Sequence, residues 1–321
     1  MSKFDDQYID LCRKILTQGE KITNYQKNDN RSASVTSVIP DHTAQGSSSA
    51  QTIRLPHQIL QFNLEEEFPI LTSKKVAFKT AVLEILWIYQ VASNDVRWLK
   101  ERDVKIWNEW EIPDNGIYQG KNINEIFARN HPNEPKTNFA HTIGTAYGWI
   151  VKRYDLINNL IETLKHNPGN RRMVLSLWQN EWLETAALPS CVWNSQWNLI
   201  NGHLNCLVTS RSSDVPLGLP FNVVQYSVLC HMIAQSIGAK PGQLTFITND
   251  AHIYENQIPG IKEQISRYDK AIKEGNLPPA PTLWLNPKIK NFADYDNSSE
   301  LNDIKLNNYE HLGTIKMPVT E

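Results

Sequence analysis

The dipeptide Asn201-Gly202 separates two runs, Val192 to Ile200 and His203 to Ser210, that are rich in strand-forming residues. Both central residues of a type I′ turn need positive φ, which Asn and Gly tolerate, so the two runs predict an antiparallel hairpin. The stretch Phe221 to Ile237, ending at Gly238, is almost wholly apolar. It predicts a helix with no face suited to water, one that must pack against the hairpin. Gln243 to Thr248 predicts a further strand. Strands and long helices without regular alternation point to an α+β fold, with a mixed sheet packed against long helices.

Phe4, Tyr8, Leu11 and Ile15 recur at helical spacing, so residues 3 to 18 predict an amphipathic helix closed by Gly19. Lys75 to Gln90 is apolar on nearly all sides yet carries Glu84, and a buried carboxylate needs either a partner or a chemical role. A helix over residues 154 to 166 leads through Pro168-Gly169-Asn170-Arg171-Arg172 into a predicted strand, Met173 to Trp178. Asn28 to Thr52 is serine-rich and aperiodic, which predicts a long surface loop containing Arg31. Residues 111 to 143, with Pro, Asn and Gly, read as an insertion. The 321 residues, 40% hydrophobic and 21% charged, suffice for one principal domain over residues 1 to 321 with these two excursions.

The formal net charge of -2 excludes an overall basic field that would attract nucleic acid or membrane. An anionic ligand would therefore have to be met by a local arginine cluster. The N-terminus lacks an apolar signal region, and uncharged apolar runs fall short of the roughly 18 residues of a membrane span, so a cytoplasmic location is expected. Cys12, Cys191, Cys206 and Cys230 form no CxxC pair and no zinc spacing, so reduced thiols and no metal are expected.

Cys191 opens the hairpin after Leu188-Pro189-Ser190. A thiolate there would be a strong nucleophile if cations lowered its pKa, although an isolated cysteine is more often a small buried hydrophobe. Arg171 and Arg172 precede the hairpin and Arg211 follows it, so their guanidinium groups have the chemistry for bidentate phosphate recognition; alternatively Arg171-Arg172 is a solvated face. Asn222, shortly after Arg211, Asp214, Gly218 and Pro220, can donate and accept together, which suits an imide edge such as that of uracil. His252 and Tyr254 would point the same way on a strand and hold a sugar hydroxyl. The alternative is that Asp250 caps a helix with His252 and Tyr254 in its first turn.

Taken together, Leu188-Pro189-Ser190-Cys191, Arg211-Ser212-Ser213-Asp214, Leu217-Gly218-Leu219-Pro220-Phe221-Asn222 and Asp250-Ala251-His252-Ile253-Tyr254 closely resemble thymidylate synthase. Phe68-Pro69-Ile70-Leu71-Thr72, Glu84-Ile85-Leu86-Trp87, Ile106-Trp107-Asn108-Glu109-Trp110, Ala146-Tyr147-Gly148 and Arg171-Arg172 extend the resemblance over most of the chain, in family order.

The resemblance implies a homodimer joined through the sheet face, and reductive methylation of dUMP with 5,10-methylenetetrahydrofolate as co-substrate. By motif position Cys191 would add to C6 of the pyrimidine. Arg211 and Ser212, with Arg171 and Arg172 from the other subunit, would bind the phosphate, and Arg31 would be a further phosphate ligand. Asn222 would read the O4 and N3 edge, His252 and Tyr254 the 3′-hydroxyl, and Gln196 would belong to the nucleotide site. Glu84 would organise proton transfer at O4, and Tyr147 would assist loss of the C5 proton. Trp107, Trp110, Asp214, Leu217, Gly218 and Phe221 would hold the folate.

Three positions depart from the family pattern. Val192 stands where most members have His, although some carry Val. Thr248-Asn249-Asp250 replaces the usual Gly-Gly-Asp, and the chain ends at Glu321 where small apolar residues are usual. These departures keep two alternatives open: through altered water access, a hydroxymethylase acting on dUMP or, less expected given Asn222, on dCMP; and, through loss of turnover, a nucleotide- or RNA-binding regulator.

Overall fold

The computed structural model describes residues 2–23 and 51–319. Arg31 and the serine-rich stretch up to residue 50 lie outside the described residues. Asn201 and Gly202 have φ of 52° and 74°, and Ile200 pairs with His203, so the strands Val192–Ile200 and His203–Ser210 form the predicted hairpin with its positive-φ turn. The edge beyond Val192–Ile200 is covered by the short strand Val174–Ser176, a shorter element than the Met173 to Trp178 of the sequence pattern.

On the other side His203–Ser210 pairs in parallel with Lys240–Tyr254, a strand of 15 residues where the sequence pattern gives only Gln243 to Thr248. Gln51–Asn63 pairs antiparallel with that long strand, and Glu20–Thr23 completes the edge. A short strand, Ser213–Asp214, also pairs with Lys240–Tyr254. The sheet is mixed, in keeping with α+β.

Gln51–Asn63 is not apparent from the sequence because Pro56 sits inside it. A proline has no N–H to give a ladder and is tolerated only where one side is unpaired. Pairing with Glu20–Thr23 ends at Arg54, so Pro56 needs a partner on one side only, opposite Asp250.

The helix Gly218–Ser236 connects the parallel strands and is buried on nearly every side, between the sheet and the helix Phe78–Tyr89. It starts three residues before the predicted Phe221; Pro220 fits in the first turn, where its missing N–H would have no helical partner. Leu204, Cys206, Val208, Leu244 and Phe246 are buried on the sheet's inner face, each large side chain contributing about 1.5–3 kcal/mol. Tyr89 and Tyr226 bring their hydroxyls to 2.8 Å, satisfying two polar atoms between the helices. The opposite sheet face leaves Ile59 60% and Ile200 57% exposed.

Within residues 111 to 143 a small hairpin, Ile117–Tyr118 with Lys121–Asn122, precedes the helix Ile123–Asn130. Phe127 from that helix packs on Phe139, Trp149 and Trp182, which docks the segment onto the main body.

Candidate active site

Cys191 lies just before the first hairpin strand, at the end of a loop tied down by one guanidinium. Arg211 donates through Nε to the Ser190 carbonyl at 3.2 Å and through Nη2 to the Pro189 carbonyl at 2.8 Å, with the same nitrogen 3.7 Å from Cys191 Sγ. The thiol therefore faces the cation that holds its loop. Burial pushes the Cys191 thiol above its ordinary value, opposed by the charge of Arg211 and by a hydrogen bond involving Tyr147. The lowering that the arginines were expected to produce is real in direction for Arg211, but desolvation outweighs it. The other three cysteines are buried and free.

Tyr147 has φ 46° and ψ -107°, an unfavourable backbone for a residue with a Cβ. The next residue, Gly148, runs so close to Ser93 that an added Cβ would lie 2.0 Å from its carbonyl oxygen. This turn aims the Tyr147 hydroxyl to accept the Cys191 backbone N–H at 3.0 Å, while its ring meets Trp107 edge-on at 5.2 Å. Burial drives the phenol well above its ordinary pKa, so it acts as a neutral hydroxyl with its proton free to donate.

Glu84 has two partners. Trp107 Nε1 donates to its Oε1 at 2.8 Å and Gln225 Nε2 to its Oε2 at 2.5 Å. Asn222 Nδ2 in turn donates to Gln225 Oε1 at 3.1 Å. Burial raises the Glu84 carboxyl to about 7, against the lowering effect of both donors, which makes it a proton acceptor and donor near neutrality. Gln225 was not singled out from the sequence, although it stands three residues after Asn222 and so on the same helical face.

At the start of the same helix, Leu217, Gly218, Phe221 and Asn222 are partly exposed while Leu219, Pro220, Val223 and Val224 are buried. Asp214 accepts from the Leu217 N–H at 3.1 Å and from Gln257 Nε2 at 3.1 Å, and burial raises its carboxyl above the usual range. Trp110 packs edge-on against Trp107 at 5.5 Å. One carboxylate beside an open helix face, with two indoles linked to that face through Glu84 and Gln225, fits a flat heteroaromatic ring carrying N–H donors. Lys74, also missed in the sequence, is buried beneath this region with its ammonium on the Pro216 carbonyl, and desolvation lowers it to about 8.

Arg211, Ser212, His252 and Tyr254 line one cavity of about 380 Å³, completed by Thr52, Arg54, Asn249 and Asp250. His252 and Tyr254 lie on the long strand Lys240–Tyr254, which decides between the strand and helix-cap readings in favour of the strand. Other residues named for the nucleotide do not line this cavity. Arg171 and Arg172 are exposed, away from this cavity's lining, and make no ion pair among the described residues. Gln196 is likewise exposed, donating to Asn194 at 3.3 Å, and is not in the cavity lining.

The thymidylate synthase family model matches residues 6–321. The chain belongs to the thymidylate synthase family. The thymidylate synthase of Clostridium beijerinckii is 42% identical over 320 residues, covering 100% of both chains, and that of Bacillus licheniformis is 35% identical, covering 97% of this chain and 96% of the relative. The solved structure of thermostable thymidylate synthase A from Bacillus subtilis aligns with a TM-score of 0.75 at 32% identity, over 98% of this chain and 99% of the other.

Within this family frame two of the three departures, at Val192 and Asn249, have definite positions. Val192 is buried and pairs with Ser210 across the hairpin. Asn249 is exposed and adds its side chain to the cavity wall. Glu321 lies outside the described residues, but the segment before it is anchored: Pro318 accepts from Gln257 Nε2 at 3.1 Å, and Met317 is buried. Among the described residues no helix is long and apolar enough to cross a membrane, and no group of His, Cys, Asp and Glu has the arrangement of a metal site.

Proposed function

We propose that the chain methylates dUMP to dTMP, with Cys191 as the nucleophile that adds to C6 of the pyrimidine and makes C5 nucleophilic. The observation that carries this reading is one continuous network. The Cys191 backbone meets Tyr147, Tyr147 packs on Trp107, Trp107 donates to Glu84, and Glu84 is joined through Gln225 to Asn222. Nucleophile, proton-transfer carboxylate and base-reading amide thus share one set of contacts.

Arg211 and Ser212 bind the phosphate, and the Arg211 guanidinium also stabilises the thiolate once formed. Asn222 reads O4 and N3, with its orientation fixed by Gln225. Glu84 exchanges a proton with O4 through water as negative charge develops there. Tyr147, neutral and fixed by Cys191, orders the water that takes the C5 proton. His252 and Tyr254 hold the 3′-hydroxyl. Asp214, Leu217, Gly218, Phe221, Trp107 and Trp110 hold 5,10-methylenetetrahydrofolate, which supplies the one-carbon unit and the hydride.

A homodimer through the open sheet face would cover Ile59 and Ile200 and bring Arg171 and Arg172 to the partner's phosphate site. Arg31 is a further phosphate ligand in this reading. One domain spans the chain, and its unpaired cysteines suit the reducing cytoplasm. The named relatives do not favour the hydroxymethylase or the binding-only alternative.

The test is incubation with dUMP and methylenetetrahydrofolate, followed by identification of both products. Thymidylate with dihydrofolate is expected. Hydroxymethyl-dUMP with tetrahydrofolate would overturn the methylation reading, and unchanged dUMP the enzymatic one.

A further inference from the structure

Arg54 enters the nucleotide cavity from the strand that the sequence pattern conceals. In the antiparallel register of Gln51–Asn63 against Lys240–Tyr254, Thr52 lies opposite Tyr254, Arg54 opposite His252 and Pro56 opposite Asp250. Alternate residues of a strand share a face, so Thr52 and Arg54 present their side chains on the same side as His252 and Tyr254. Arg54 Nε donates to Thr52 Oγ1 at 2.8 Å, and Nη1 donates to Asp250 Oδ2 at 3.1 Å. The other Asp250 oxygen, Oδ1, lies 3.0 Å from His252 Nδ1. The carboxylate is thus gripped from both sides, one oxygen by each neighbour.

Burial alone would raise the Asp250 carboxyl, but the hydrogen bonds and charges of His252 and Arg54 together bring it below its ordinary value. An ionised Asp250 can only accept, which commits the His252 Nδ1 to donating. The remaining ring nitrogen, Nε2, is then the one with capacity for a ligand in the cavity. His252 is almost enclosed, so its ring has little room to find a second orientation. Loss of the Arg54 contact would free the Asp250 side chain to rotate, and the imidazole would lose its fixed partner.

We propose that Arg54 is a positioning residue for the sugar end of the nucleotide site, locking Asp250 so that the carboxylate in turn holds the His252 ring toward the 3′-hydroxyl. Arg54 acts through Asp250 and Thr52, not by touching the reacting atoms. The proposal rests on the reading that His252 and Tyr254 receive the sugar. It makes recognition of the 3′-hydroxyl depend on a guanidinium that does not contact it.

The experiment compares binding of dUMP and of 2′,3′-dideoxyuridine monophosphate, which lacks only the 3′-hydroxyl, by titration calorimetry on the full chain. The unmodified protein is expected to prefer dUMP by about tenfold, the value of one well-placed hydrogen bond. In Arg54→Met that preference falls toward unity, and Arg54→Lys, which keeps a donor for Asp250, restores most of it. Thermal melting checks that both variants fold; if Arg54→Met does not, the Lys variant against Arg54→Ala, which also has no donor for Asp250, gives the same comparison. Equal weakening of both ligands in Arg54→Met would make Arg54 a direct phosphate ligand and overturn the proposal, as would an unchanged preference. No preference in the unmodified protein would overturn the sugar assignment of His252 itself, and the proposal with it.

Discussion

The Trp107 indole N–H donates to Glu84 Oε1 at 2.8 Å, so the lone carboxylate of an apolar helix is held by a ring from the neighbouring loop. Even with this donor and Gln225, desolvation raises the Glu84 carboxyl from 4.5 to about 7. The folded protein keeps this proton where the unfolded chain releases it. The stability that protonated Glu84 contributes is fully present below about pH 4.5 and lost as pH rises through 7, where the buried charge costs about 3 kcal/mol. Glu84→Gln is expected to gain up to roughly that amount relative to the unmodified protein at pH 8 and nothing near pH 4.5. Urea unfolding at the two pH values checks this, and parallel pH dependence of the two proteins would refute it. Turnover in the same variant should fall about 100-fold or more, since an amide cannot exchange the proton at O4.

The Cys191 thiol is raised by burial and lowered by Arg211, and the remaining cysteines are sealed in the core. Native protein treated with iodoacetamide should therefore take one alkyl group per chain, at Cys191, with a rate that climbs as pH rises toward and past the ordinary thiol range. Arg211→Met should slow that reaction at a given pH, because the thiolate loses its only cation at 3.7 Å among the described residues. Peptide mass mapping identifies the labelled residue; modification at Cys12, Cys206 or Cys230 would contradict the packing. Cys191→Ser should abolish turnover and leave dUMP binding in place.

Gln257 is fully buried and spends its amide on three neighbours. Its Nε2 donates to Asp214 Oδ2 and to the Pro318 carbonyl, and its Oε1 accepts the Tyr254 N–H, each at 3.1 Å. The C-terminal segment is thereby tied to the carboxylate assigned to the folate. Gln257→Leu removes all three bonds, leaving Asp214 only the Leu217 N–H, and destabilisation by roughly 1–3 kcal/mol is expected. The folate KM should rise about tenfold while dUMP binding measured alone changes little. Steady-state kinetics with calorimetry separates the two, and an equal loss for both ligands would show that Gln257 supports the whole site rather than the folate end.

How far these contacts could be read beforehand depended on the kind of signal each left. The hairpin and the buried helix were legible because Asn201-Gly202 demands positive φ and because an apolar run from Phe221 to Ile237 tolerates no solvent face. Gln51–Asn63 was not, since Pro56 masks a strand whose far side is unpaired only in the folded sheet. Missing that strand concealed Arg54. Cys191, Asn222, Arg211 and His252 stood out by residue type, whereas Gln225 and Gln257 are neutral amides whose importance appears only when Glu84, Asp214 and Pro318 come within 3.1 Å or less. The pKa balance at Cys191 was beyond reach for another reason: the direction follows from how deeply the thiol is packed, and spacing along the chain carries no measure of that.

Arg171 and Arg172 are exposed and lie outside the lining of their own chain's cavity, which is the geometry expected if a second copy receives them. Hybrid dimers test this directly. A Cys191→Ser chain keeps both arginines but has no nucleophile, and a chain with Arg171→Ala and Arg172→Ala keeps the nucleophile but cannot complete its partner's phosphate site. Each homodimer should be inactive or nearly so. After the two are mixed, unfolded and refolded together in equal amounts, half of the dimers are hybrids, each with one intact site, so roughly a quarter of the unmodified activity should return. If the arginines served their own chain instead, the hybrid would contain no intact site, and mixing would recover nothing.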